Sequence, residues 1–94
     1  STQQWYVYMI RMANGQLYTG VSTDLHRRLR QHQGELVGGA KALRGKGPLQ
    51  LVWSAPAHSR AEACQWENKL KRLSKPAKEQ LVAALWQPEF LSNR

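Results

Sequence analysis

Cysteine is almost absent: Cys64 is the single one among 94 residues. No disulfide can close within the chain, which suits a reducing compartment and gives a cytoplasmic expectation. Long apolar runs are missing too. No stretch approaches the roughly 20 residues that a spanning helix needs, and no charged segment followed by an apolar one opens the chain. No membrane partner is expected. Acidic residues are few, 6 against 14 Lys and Arg, for a net charge of +8. Residues 1–10 carry no charged side chain, and residues 76–94 balance Lys78 and Arg94 against Glu79 and Glu89. The whole excess therefore falls in residues 11–75. So concentrated a basic field attracts polyanions, of which nucleic acid is the commonest. The rival explanation is a basic surface kept for solubility or for contact with acidic proteins or lipids.

What is present is a globular composition. Apolar residues make up 41% of the chain, and four Trp with three Tyr supply large units of buried area. The length fits one compact domain over residues 1–94, expected to be a monomer, with a modest core. WYVYMI (Trp5–Ile10) and LYTGV (Leu17–Val21) are dense in aromatic and β-branched residues, and Asn14-Gly15 lies between them. This pattern predicts a β-hairpin but not its register. A two-residue turn sets Tyr8 opposite Val21 and sends Tyr18 to the other face. A three-residue turn over Ala13–Gly15, with Gly15 left-handed, puts Tyr8 and Tyr18 on one face. One residue of slip reverses every side chain.

Ser22-Thr23-Asp24 offers N-caps for a helix from about Asp24 to Gln33, stopped by Gly34. Leu25 and Leu29 mark its buried stripe, Arg28 and His32 fall beside it, and Arg27 and Arg30 point away. Residues 34–48, GELVGGAKALRGKGP, read as a mobile basic loop with a short turn at AKALR. The spacing of its glycines and the absence of Ser or Thr after Lys46 exclude a nucleotide-binding P-loop. Either its amides and cations meet phosphate or it is a plain connection. LQLVWSA (Leu49–Ala55) alternates as a third strand. The capping box Ser59-Arg60-Ala61-Glu62 then starts a helix to about Leu73. Another helix is expected from Pro76 to about Leu85, with Ala77, Leu81, Ala84 and Leu85 inward, and fraying after Gln87-Pro88. The fold class is α+β: a small three-stranded antiparallel sheet flanked by helices, in the order β-β-α-β-α-α.

Tyr6-Val7-Tyr8, Tyr18-Thr19-Gly20, Arg28, His32 and a glutamate on the later helix, taken in order, resemble the GIY-YIG nuclease superfamily. Within it the chain resembles the small single-domain bacterial branch, the UPF0213 proteins, whose loop reads much like GAKALRGKG. The resemblance runs from Trp5 to about Ala84. It selects Tyr8, before Met9-Ile10, over Tyr6, and makes Tyr18 the second motif's tyrosine. Ten positions after Tyr18 comes Arg28, followed four later by His32, and the acidic residue maps to Glu67 in WENKLK. Tyr6 and Thr19 depart from the family's naming motifs.

The resemblance implies a metal-dependent endonuclease acting on DNA, with Tyr8, Tyr18, Arg28, His32 and Glu67 catalytic. Phosphodiester hydrolysis needs an activated water and stabilised phosphoryl charge. Glu67 would hold Mg²⁺ or Mn²⁺. Arg28 would fork onto the phosphoryl oxygens. Tyr8 and Tyr18 would position or deprotonate water, and His32 would support Tyr8 or shuttle a proton. One face must then carry all five, which favours the three-residue turn. No other cofactor is expected. Arg27, Arg30, Lys41, Arg44, Lys46, Lys69 and Arg72 would meet phosphates with weak sequence specificity. Single-stranded or branched DNA is a plausible substrate, helped by an exposed Tyr6. The alternative function is a nucleic-acid-binding module without useful catalysis.

Taken singly, each residue has an ordinary structural explanation. The tyrosines would be half-buried strand residues, Arg28 a solvated helix charge, His32 a helix-end charge, and Glu67 the i,i+4 partner of Lys71. Glu62 already has a capping role. His26, His58 and Cys64 lack metal-ligand spacing, so the histidines are expected at the surface and Cys64 in packing.

Overall fold

The computed structural model describes residues 3–92. Its elements are β1 (Trp5–Arg11), β2 (Leu17–Ser22), α1 (Leu25–His32), a 3-10 turn (Lys41–Leu43), β3 (Gln50–Ala57), α2 (Arg60–Lys71), α3 (Lys75–Val82) and α4 (Glu89–Ser92). The strands form one sheet in the order β2-β1-β3, both pairs antiparallel.

The hairpin takes the three-residue turn. Tyr8 pairs with Gly20, and Ile10 with Tyr18. Gly15 has φ +88°, a conformation that a side chain disfavours. The Gly15 N–H donates to Met12 O at 2.9 Å and the Met12 N–H to Gln16 O at 2.8 Å. Consequently Tyr8, Ile10 and Tyr18 share one face. Between Met9 and Ile10 the pairing with β3 shifts by a residue: Met9 faces Trp53 and Ile10 faces Leu51, so Val52 is bulged out.

Alternation along β1 builds two cores. Val7 and Met9 pack with Ala63, Trp66 and Leu70 of α2 and Leu81 of α3. Tyr8 and Ile10 pack with Leu43 and Leu49, joined by Tyr18, Leu25 and Leu29. Thus α1 and the loop that follows cover one face of the sheet, and α2 and α3 the other.

Caps set the helices as their sequences suggest. Asp24 Oδ1 accepts the Arg27 N–H at 3.0 Å, Ser59 Oγ accepts the Glu62 N–H at 3.1 Å, and Ser74 Oγ accepts the Ala77 N–H at 3.2 Å. Glu62 Oε1 reaches back to the His58 N–H at 2.8 Å, one residue beyond the expected capping partner. At Gly34 the backbone turns left-handed, φ +86°, just past α1.

Three expectations are corrected. Helix α3 stops at Val82 because Ala84 adopts φ +61°. Ala84 and Leu85 are therefore exposed, Leu85 at 79%, rather than inward. Instead of fraying directly after Pro88, the chain forms α4, whose Phe90 ring lies 6.4 Å from that of Trp66, while the fraying expected of residues 93–94 lies outside the described residues. Loop 34–48 is tied to the fold: the Ala13 N–H donates to Lys46 O at 3.0 Å, Leu43 is buried, and AKALR holds the expected turn. No helix among the described residues is long and apolar enough to cross a membrane.

Candidate active site

The hairpin register brings the two tyrosines to α1. Tyr8 is buried at 1% exposure because its partner across the strands is Gly20. A Cβ on Gly20 would lie 2.5 Å from Tyr8 Oη, 2.7 Å from Tyr8 Cζ and 3.2 Å from Tyr18 Cε2. The glycine thus makes room for the phenol. From the last turn of α1, buried His32 brings Nε2 to 2.8 Å from Tyr8 Oη. Ring centroids are 6.5 Å apart for Tyr8 and Tyr18, 6.1 Å for Tyr8 and His32, and 5.4 Å for Tyr18 and His32, the last edge-on.

Burial sets the protonation of this cluster. It pushes the Tyr8 phenol up to about 12; Arg28 opposes that rise, and the charges of Tyr18 and Glu67 add to it. His32 is driven down to about 4, first by burial and then by the Arg28 charge. A neutral phenol therefore meets a neutral imidazole at pH 7. The backbone chooses the tautomer. His32 Nδ1 accepts the Ala40 N–H at 3.1 Å, so the ring proton sits on Nε2, and Nε2–H donates to Tyr8 Oη. His32 is thereby in direct hydrogen-bond contact with Tyr8 Oη.

Arg28 is half-buried, and its Nη1 donates to Gln31 Oε1 and to Gly38 O, both at 2.8 Å. Its charge acts on Tyr8 and His32 together. Glu67 stands on α2, across the sheet from α1, so the five residues do not all come from one face of the sheet as expected, yet its charge is felt at Tyr8. It also pairs with Lys71 at 3.4 Å, so the plain i,i+4 partnership is present as well.

The cationic residues divide between the faces. Arg27, Lys41, Arg44 and Lys46 are exposed on the α1 side, as is Arg30, which lies 3.6 Å from Glu35. Lys69 and Arg72 belong to α2 or its C-cap, and Lys69 Nζ stacks 5.1 Å above the Phe90 ring. These seven therefore come from two separate parts of the fold, α1 with its following loop and α2. Tyr6 is half-buried in β1 rather than exposed. His26 and His58 are exposed and Cys64 is half-buried. Among the described residues, no three His, Cys, Asp or Glu side chains gather as a metal-holding group.

The segment Gly38–Ala40, which holds both Arg28 and His32, escaped sequence reasoning as part of the site. Its only signal was a pair of adjacent glycines close behind a helix, the usual mark of close backbone approach. A cavity of about 390 Å³ opens beside His32, walled by Leu43, Pro48 and Leu49 with Gln33 and Glu35.

A family model described as the GIY-YIG catalytic domain matches residues 4–80. The chain belongs to the GIY-YIG family. Within it, the chain is 54% identical over 79 residues to a UPF0213 protein of Sodalis glossinidius, covering 84% of this chain and 72% of that one. The UPF0213 protein YhbQ of Escherichia coli is 53% identical over 79 residues, with 84% and 77% covered. The solution NMR structure of a UPF0213 protein from Bacillus halodurans superposes with a TM-score of 0.55 at 40% identity, over 96% of this chain and 94% of that one. The GIY-YIG order of Tyr8, Tyr18, Arg28, His32 and Glu67 all lies inside the matched residues.

Proposed function

We propose that residues 1–94 act as one endonuclease domain that hydrolyses DNA phosphodiester bonds, depends on a divalent metal and has weak sequence specificity. Single-stranded or branched DNA is the preferred substrate, and the working form is a cytoplasmic monomer. The observation that carries this reading is the cluster of Tyr8, Tyr18 and His32, under the charges of Arg28 and Glu67, in a GIY-YIG chain.

GIY-YIG nucleases generally depend on divalent metal. The donor set here suits a hard ion: Glu67 is a half-buried carboxylate paired with Lys71, and ions such as Mg²⁺ or Mn²⁺ keep most of their waters and need few protein ligands. Glu67 would hold the ion, which supplies phosphoryl polarisation and a more acidic water. Arg28, anchored through Nη1, stabilises the charge that builds on the phosphoryl oxygens. Tyr18, half-buried, orients the attacking water. Tyr8 keeps its proton at neutral pH and works from a fixed position, held by His32 Nε2–H. The phosphates on either side meet Arg27, Arg30, Lys41, Arg44 and Lys46, whose contacts position DNA without reading its bases. Lys69 and Arg72, on α2 and its C-cap, add phosphate contacts on the α2 side.

The test is cleavage of labelled single-stranded, duplex and branched DNA with Mg²⁺, with Mn²⁺ and with chelator. Wild type should cut only with metal, and Glu67→Ala and Arg28→Ala should each lose at least about a hundredfold in rate while still binding DNA. Binding by wild type with no cleavage of any substrate would mark a nucleic-acid-binding module instead. Undiminished cleavage by both variants would remove these two residues from the chemistry.

A further inference from the structure

Three consecutive residues meet the C-terminal end of α1 through their backbone. Gly38 O accepts Arg28 Nη1 at 2.8 Å. Gly39 lies so close to the helix end that a Cβ would collide with Gln31 O and come within 3.0 Å of Gln31 C and 3.1 Å of His32 Cα. The collision is with backbone, which cannot swing aside as a flexible side chain would. Ala40 N–H then reaches His32 Nδ1 at 3.1 Å. The groups facing the imidazole are Tyr8 and Tyr18 from the sheet and Arg28 from its own helix. None of them presents an acceptor that would compel a proton onto Nδ1.

We propose that Gly38–Gly39–Ala40 is a positioning strap: the close approach of Gly39 lets the Ala40 amide hold His32 in its Nε2–H tautomer, aimed at Tyr8 Oη, while Gly38 holds Arg28 beside it. Histidine free in solution exchanges between its two neutral tautomers. An amide donor at Nδ1 removes that choice, because a proton there would point at another proton. The strap thereby makes Tyr8 Oη an acceptor and leaves the phenol's own proton free to be donated. In catalysis, which rests on the nuclease reading above, this fixes the direction of hydrogen bonding at Tyr8. Gly39 and Ala40 are positioning residues, for they act through His32 and touch no reacting atom.

The experiment reads the tautomer directly and needs no activity. Long-range ¹⁵N–¹H correlation spectra of the ¹⁵N-labelled full chain at pH 7 should show His32 with a protonated Nε2 and a bare Nδ1. Gly39→Ala should shift His32 toward the Nδ1–H form or toward exchange between the two. Should that variant unfold, a second protein avoids the steric change: an amide-to-ester replacement at Ala40, made by joining a synthetic segment ending at Ala63 to one beginning at Cys64, deletes only the donor. It too should lose the fixed tautomer. A wild-type His32 protonated on Nδ1, or an ester protein with an unchanged tautomer, would overturn the proposal. If DNA is cut, both altered proteins should lose about ten- to a hundredfold in kcat with little change in KM. A normal His32 spectrum in a protein that cuts no DNA would refute the nuclease and leave the strap standing.

Discussion

The two faces of β1 share a backbone but solve different problems. Val7 and Met9 meet Trp66, Leu70 and Leu81 in a core made almost wholly of hydrocarbon. One residue along, Tyr8 points the other way and carries a hydroxyl into a site 1% exposed, where His32 and Arg28 answer it. The first face is stable through area and fit; the second must satisfy every polar atom it buries. Among the described residues no buried side-chain N or O lacks a partner. A strand of seven residues can thus support an apolar wall on one side and carry a reactive one on the other.

Substitutions on each side should separate these two tasks. Leu70 is fully buried on the apolar face, and Leu70→Ala should cost about 2–5 kcal/mol of stability through the cavity it leaves. Denaturant titration would read that loss, while His32 keeps its tautomer below the unfolding midpoint; a changed tautomer would mean that the faces are coupled. On the polar face, Gly20→Ala forces a methyl against Tyr8 Oη and should cost about 1–3 kcal/mol. Here the tyrosine ring must move, so the variant should also lose the His32 contact, seen as a change in the Tyr8 ring resonances. A further effect appears in acid. His32 has a depressed pKa, so between its ordinary value of 6.5 and about 4 the unfolded chain binds a proton that the folded one refuses. The stability it contributes is therefore complete above pH 6.5 and drains away as pH falls toward 4. His32→Gln should flatten that part of the melting-temperature profile relative to wild type; parallel profiles would show that His32 contributes nothing to it.

Legibility in the sequence followed the range of the interactions. Local chemistry was readable: Gly15 in the turn, Asp24 and Ser59 as caps, and Gly34 as a stop each act within a few residues. The hairpin register was not, since propensity is blind to a one-residue slip, and only the family resemblance, which implies Tyr8 and Tyr18 on one face, favours the three-residue turn. What escaped depends on contacts through space. Phe90 is placed by Trp66, from another helix, and not by its neighbours. Helix α3 ends at a left-handed alanine, where a glycine would have signalled the stop. The tautomer of His32 depends on an amide eight residues away, brought there by a contact that only a glycine permits. At Glu67 the i,i+4 partnership with Lys71 was readable, whereas the influence of its charge on Tyr8 depends on the fold.

The hairpin turn has one more attachment. Gly15 O receives Arg11 Nη1 at 3.2 Å and Lys75 Nζ at 2.9 Å, and Arg11 grips Glu79 with both its terminal nitrogens, at 2.8 and 2.7 Å. Arg11 in turn holds the Glu79 carboxylate below the usual carboxylate range. The first hairpin is therefore moored to the third helix, about sixty residues later in the chain. A fragment cut after Leu73 would retain all five proposed catalytic side chains and still lose its mooring. The smallest piece worth expressing is longer than the catalytic motif, because α3 is part of what keeps the tyrosine-bearing hairpin in place.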